Sequence, residues 1–157
     1  DEGIWVLRSC PAGHQLKSWL HGIQATEQEC VECIPGLEYI IDQVNHTCQK
    51  CPEGASCDGS TLTGLVNGSV WETNDDEGIW VLRSCPAGHQ LKSWLHGIQA
   101  TEQECVECIP GLEYIIDQVN HTCQKCPEGA SCDGSTLTGL VNGSVWETND
   151  DEGIWVL

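Results

Sequence analysis

The sequence predicts a small disulfide-rich, mostly β protein: a tandem array of 75-residue units, each a cysteine-stapled loop region plus a β-meander, forming an elongated rod. Three observations carry this expectation. Residues 1–75 and 76–150 are identical, and residues 151–157 begin the same sequence a third time. Each 75-residue stretch holds six cysteines. Short runs of β-branched and aromatic residues alternate with Gly, Pro and Asn-Gly punctuation, the pattern of strands and turns.

The string DEGIWVL marks the period, standing at Asp1–Leu7, Asp76–Leu82 and Asp151–Leu157. The domains expected are therefore repeat 1 at 1–75, repeat 2 at 76–150 and the start of a third repeat at 151–157. Repeats normally drift apart. Perfect identity, cut through the same motif at both ends, is what a window on a longer periodic polymer would give, each unit meeting mainly its neighbours. No run approaches the roughly 18 apolar residues of a membrane span, so membrane insertion within this segment is not expected.

The chain carries 24 Asp and Glu against six Lys and Arg, for a net charge of −18. Such a polyanion is a poor partner for nucleic acid or anionic lipid. The charge suits a solvated surface, and secondarily calcium or basic partners.

Six cysteines per repeat (Cys10, Cys30, Cys33, Cys48, Cys51 and Cys57, then Cys85, Cys105, Cys108, Cys123, Cys126 and Cys132) leave no odd thiol. A repeat with no Phe or Met has a thin core, which small secreted domains commonly offset with disulfides. Asn45 and Asn67, repeated as Asn120 and Asn142, open N-x-[ST] sequons and point to the same secretory route. The localisation expected is extracellular or at the cell surface, with N-linked glycans.

Taken in order, IWVLRS from Ile4 reads as a strand leading into Cys10. The string CPAG at Cys10 has counterparts in CIPG at Cys33 and CPEG at Cys51, each a cysteine that opens a proline-glycine turn. HQLKSWL, from His14 to Leu20, fits a strand or a short helix and is read as a strand. HGIQATEQE reads as a polar loop. LEYIID and TCQKC read as the two arms of a hairpin turning at QVNH.

From Asp58 to Ser84 the chain runs 27 residues without a cysteine. TLTGLV, SVWE and IWVLRS in this stretch read as a three-stranded meander, with Asn67-Gly68 as its hairpin signal and Trp71 and Trp80 as its large apolar side chains. The third strand is the next copy of DEGIWVL. The meander thus predicts that Ile79–Leu82 pairs antiparallel with Ser69–Glu72.

CVEC at Cys30 and CQKC at Cys48 come near the spacing of a zinc ribbon. That reading leaves Cys10 and Cys57 without roles and sets the Asn45 sequon between ligand pairs, so disulfides are the better expectation. Six cysteines allow fifteen pairings. If each C-x-x-G turn opens a loop closed by the next cysteine, Cys10 joins Cys30, Cys33 joins Cys48 and Cys51 joins Cys57, with Cys85–Cys105, Cys108–Cys123 and Cys126–Cys132 following in repeat 2. Loop entropy puts these closures at roughly 3, 3 and 2 kcal/mol in each repeat.

CPAGHQ, CVECIPGLEYI and CQKCPEGASCDG resemble the cysteine-rich modules of tumour-necrosis-factor receptors and the ephrin-receptor-like repeats. Over the full repeat, the strings EYIID, HTCQKCPEGASCDGS, LTGLVNGSVWE and IWVLRSCPAGH are similar to tandem arrays in extracellular surface proteins of algae and other protists. That resemblance implies an extracellular filament, such as the mastigoneme-like hairs of flagella. The cysteine-free meander departs from the receptor modules.

Other chemistry is not expected. His14, His21 and His46 could serve a cysteine nucleophile, but a disulfide-bonded cysteine is no nucleophile and three scattered histidines read as surface residues; no carboxylate pair is singled out as catalytic. Glu72, Asn74, Asp76 and Gly78 depart from the EF-hand spacing, so ETNDDEG reads as a hairpin turn with only weak support for calcium. Trp5, Trp19 and Trp71 read as core rather than as a sugar platform. Ser60, Thr61 and Thr63 are candidates for O-linked sugar. The function expected is a structural subunit of a secreted, glycosylated fibre that associates with itself or continues as a longer repeat chain. The alternative is a receptor-like or adhesive ectodomain that binds protein or carbohydrate.

Overall fold

The computed structural model describes residues 3–157, so Asp1 and Glu2 lie outside the described residues. Among the described residues the protein is mostly β, built from eight two-stranded antiparallel sheets and six disulfides. Among the described residues no helix is long and apolar enough to cross a membrane.

In repeat 1, β1 (His14–Lys17) pairs with β2 (Glu29–Glu32). β3 (Glu38–Tyr39) pairs with β4 (Gln49–Lys50), and β5 (Ala55–Asp58) pairs with β6 (Thr61–Gly64). β7 (Val70–Asn74) then pairs with β8 (Ile79–Ser84), which carries the chain into repeat 2. The pattern recurs with β9 (His89–Lys92) on β10 (Glu104–Glu107), β11 (Glu113–Tyr114) on β12 (Gln124–Lys125), and β13 (Ala130–Asp133) on β14 (Thr136–Gly139). It ends with β15 (Glu147–Asn149) on β16 (Ile154–Val156).

The disulfides join Cys10 to Cys30, Cys33 to Cys48 and Cys51 to Cys57, then Cys85 to Cys105, Cys108 to Cys123 and Cys126 to Cys132. Each C-x-x-G cysteine is thus linked to the next cysteine along the chain. Tyr39 and Ile40, between Cys33 and Cys48 in sequence, are buried.

Several local readings need correction. There is no three-stranded meander: β6 pairs back on β5 instead of forward on β7. The reason is local. Gly59 adopts φ 66 and the Thr61 hydroxyl donates to the Asp58 carbonyl at 2.9 Å, which closes a tight turn that outcompetes the longer-range pairing. Asn67-Gly68 still reverses the chain, with Gly68 at φ 94, but the turn joins segments that form no ladder. The expected HQLKSWL strand stops at Lys17. Ser18 ends it by accepting the N–H of Leu20, which caps a 3-10 turn at Trp19–His21. The polar loop contains a second 3-10 turn, Ala25–Glu27, and its last residue, Glu29, opens β2. The LEYIID and TCQKC hairpin exists but pairs only two residues on each arm.

Candidate functional site: the junction between repeats

β8 is where repeat 1 becomes repeat 2. Its register on β7 sets Ile79 opposite Asn74, Trp80 opposite Thr73, Val81 opposite Glu72 and Leu82 opposite Trp71, with a bulge at Val70/Trp71. Pairing of Ile79–Leu82 with the preceding segment is thus present, displaced so that Ser69 lies outside the strand. Alternation puts Val81, 3% exposed, and Ile79, 7% exposed, on one buried face. Leu82, fully buried, joins Cys85, Leu91 and Cys105 in a cluster against which Val66 and Trp71 of repeat 1 pack.

The other edge of β8 is closed by side chains rather than by a strand. Gln103 is fully buried; its Oε1 accepts the N–H of Leu82 at 2.9 Å and of Trp94 at 3.1 Å, and its Nε2 donates to the carbonyls of Trp80 and Ala100. The Ser93 hydroxyl donates to the Leu82 carbonyl at 2.7 Å. From repeat 1, the Tyr39 hydroxyl accepts the Trp80 N–H at 3.0 Å, and burial raises the pKa of that phenol. The Gln103 amide makes four hydrogen bonds in this clamp, whereas the indole N–H groups of Trp71 and Trp80 beside it are buried without a partner among the described residues; a covered edge offers no template for stray strands.

Backbone contacts complete the junction. Glu53 N–H donates to the Thr101 carbonyl at 3.0 Å, and Gly54 N–H to the Gln103 carbonyl at 2.9 Å. A Cβ at Gly54 would stand 2.6 Å from Glu104 Cα, so only glycine fits there. On the opposite side, His46 Nε2 lies 2.7 Å from the Asp75 carbonyl while its Nδ1 accepts the Asp42 N–H at 3.2 Å, so the neutral Nε2–H tautomer fits both bonds.

The structure places the remaining sequence-predicted residues as follows. Asn45, Asn67, Asn120 and Asn142 are all exposed. Asn45 sits in a turn around Asp42, whose carboxylate accepts the Asn45 side-chain amide and the N–H groups of Val44 and Asn45, bonds that lower its pKa. Asn74 uses its side-chain oxygen on the Glu77 N–H, so ETNDDEG is a hairpin turn whose Gly78 abuts the His46 ring. Cys33, Glu38 and Cys48 cluster within 4.8 Å, but both sulfurs belong to one disulfide and Glu38 accepts the Ile34 N–H. No cysteine is free. His14 faces the Ala12 carbonyl, and His21 ends the 3-10 turn. Ser60, Thr61 and Thr63 lie on and beside the β5–β6 turn.

Trp71 packs in the core, whereas Trp5 is 94% exposed and Trp19 is also exposed, so the core reading fails for these two. Among the described residues no strand pairs with Trp5, whereas β7 pairs with the strand of its half-buried copy Trp80, and the 3-10 turn carries Trp19 outward. Sequence reasoning also passed over Gln103, Ser93, Tyr39 and Gly54. Gln103 stands in a polar loop and Ser93 in a segment read as a strand, so neither gives a sign of burial, while Tyr39 and Gly54 stood inside the strings LEYIID and CPEG without a role at the junction.

Comparison with protein-family models, curated proteins and solved structures returns no match.

Proposed function

We propose that the chain is a structural subunit of a secreted, glycosylated extracellular filament made of tandem disulfide-stapled repeats. The single observation that carries this reading is the junction: β8 is paired to one repeat through β7 and clamped to the next through Gln103 and Ser93. A connection of that kind transmits tension through a strand ladder and buried side chains instead of a loose linker. Identical repeats support it further, since lattice building rewards sameness whereas selection for one ligand tends to differentiate units. Covalent loops would hold each repeat against unfolding, and exposed sequons with a net charge of −18 would keep the surface hydrated. The resemblance to protist surface arrays points the same way.

Electron microscopy of the native material with glycan mass spectrometry tests the proposal. Fibres carrying glycan at Asn45 and Asn67 are the expected outcome; isolated flexible monomers bare at both positions would overturn it. One observation favours the adhesive alternative: Trp19 and Leu20, and again Trp94 and Leu95, are exposed on each repeat. Binding to a glycan or protein array that Trp19→Ala and Trp94→Ala abolish would support that reading.

A further inference from the structure

Both repeats carry the same groove beside the same sequon. In repeat 1 it is a cavity of about 310 Å³, lined by residues 15–17 of β1, by His21 and Ile23 around the first 3-10 turn, and by residues 44–47. Its copy in repeat 2, also about 310 Å³, is lined by the equivalent residues between Gln90 and Thr122. All three residues of the sequon, Asn45, His46 and Thr47, belong to the lining. Ligand sites span roughly 300–1,000 Å³, so this volume suits a single sugar ring better than a peptide segment.

The lining has the chemistry of a sugar seat. A pyranose carries C–H groups on its faces and hydroxyls around its rim, so it packs on an apolar floor with polar edges. Leu16 is buried, and Ile23 and Val44 are half-buried. Around them stand Gln15, Lys17 and His21. Gln15 Oε1 accepts the Cys48 N–H at 2.9 Å, which orients the amide; among the described residues its Nε2 and the His21 ring have no hydrogen-bond partner. Gln90 is oriented in the same way by the Cys123 N–H at 3.0 Å.

The sequon supplies the occupant. Asn45 is exposed, and it separates the groove from a cleft lined by Asp42 and Asp75. Its Nδ2 donates one of two hydrogens to Asp42 Oδ2 at 2.8 Å, as Asn120 does to Asp117 at 2.9 Å. The other hydrogen, the one a glycan replaces, points away from Asp42. We propose, resting on the reading that Asn45 and Asn120 carry glycans, that each groove seats the first N-acetylglucosamine of its own glycan. Tethering at the lip gives that sugar a high effective concentration, so a contact too weak to hold free sugar still keeps it in place. His46 lines the groove and also holds the Asp75 carbonyl, so the seated sugar braces the turn from β7 into β8.

The full chain secreted from a eukaryotic host, trimmed by an endoglycosidase to one N-acetylglucosamine at each occupied site, tests this. Peptide mass spectrometry reads occupancy, and NMR reads the seat. Expected are occupied Asn45 and Asn120, with nuclear Overhauser contacts from the sugar to the methyl groups of Ile23 and Val44, and of Ile98 and Val119. Thr47→Ala combined with Thr122→Ala removes both sequons but keeps each Asn on its Asp. Its melting temperature falls below that of the trimmed chain by more than the difference between the same two chains made without glycans, which carries only the lost Thr47–Gln49 and Thr122–Gln124 hydrogen bonds. Occupied sites without those contacts, or a fall no larger than that baseline, overturn the seat and leave the glycosylation standing. Bare Asn45 and Asn120 in the secreted chain overturn the glycans there and the seat with them, so the two failures are distinguishable.

Discussion

Gln103 makes four hydrogen bonds from a fully buried amide, and Gln28 makes the same four from a half-buried one. Removing the side chain strands backbone groups, and the cost depends on whether water can replace it. Gln103→Ala is expected to cost about 2 kcal/mol or more, and Gln28→Ala clearly less, by thermal or denaturant melting. Tyr39 and Asp42 set opposite pH limits on the same repeat. Burial raises the Tyr39 pKa above the ordinary 10.0, so its contribution is intact below about pH 10 and is lost as pH rises through the higher folded value. Hydrogen bonds from Asn45 and Val44 lower the Asp42 pKa below 3.8, so its contribution holds above that value and is lost as pH falls through the folded one. Melting temperature followed across pH should therefore fall at the alkaline limb in wild type and less steeply in Tyr39→Phe. None of these residues was legible in sequence, because burial of a polar side chain is decided by what later folds over it.

At the scale of elements, the cysteine framework was the most legible feature. Its C-x-x-G grammar fixed turns locally, and the sulfurs follow that grammar from Cys10 to Cys132. Strand pairing was legible only where sequence neighbours compete weakly. Ile79–Leu82 was placed on the correct partner segment, whereas Thr61–Gly64 was assigned to the meander although the Gly59 turn pairs it with Ala55–Asp58. The two disulfides bordering these elements make different predictions. Replacing Cys51 and Cys57 together by Ser removes a short loop closure beside β5 and costs about 2 kcal/mol. Replacing Cys85 and Cys105 by Ala removes a longer loop and opens the junction cluster, and costs about 3 kcal/mol or more. Paired melts of the two double variants check the order.

For the whole molecule, thin hydrophobic clusters and two-stranded sheets leave stability resting on covalent loops and on the packing of one repeat against the next. Reduction is expected to abolish cooperative unfolding and expose Trp71 and Trp80, which circular dichroism and fluorescence with and without reductant would show. The central claim is that consecutive repeats form a buried, side-chain-tight junction. One substitution made at two copies of one position tests it most directly. Gly54 and Gly129 share the same sequence neighbours for many residues on either side, but Gly54 touches Glu104 and Gly129 does not. Measured by thermal melting, Gly54→Ala should destabilise by about 1–3 kcal/mol through overpacking. Gly129→Ala should be neutral or stabilising by up to about 1 kcal/mol through reduced unfolded-state entropy. Equal effects at the two positions would contradict the junction.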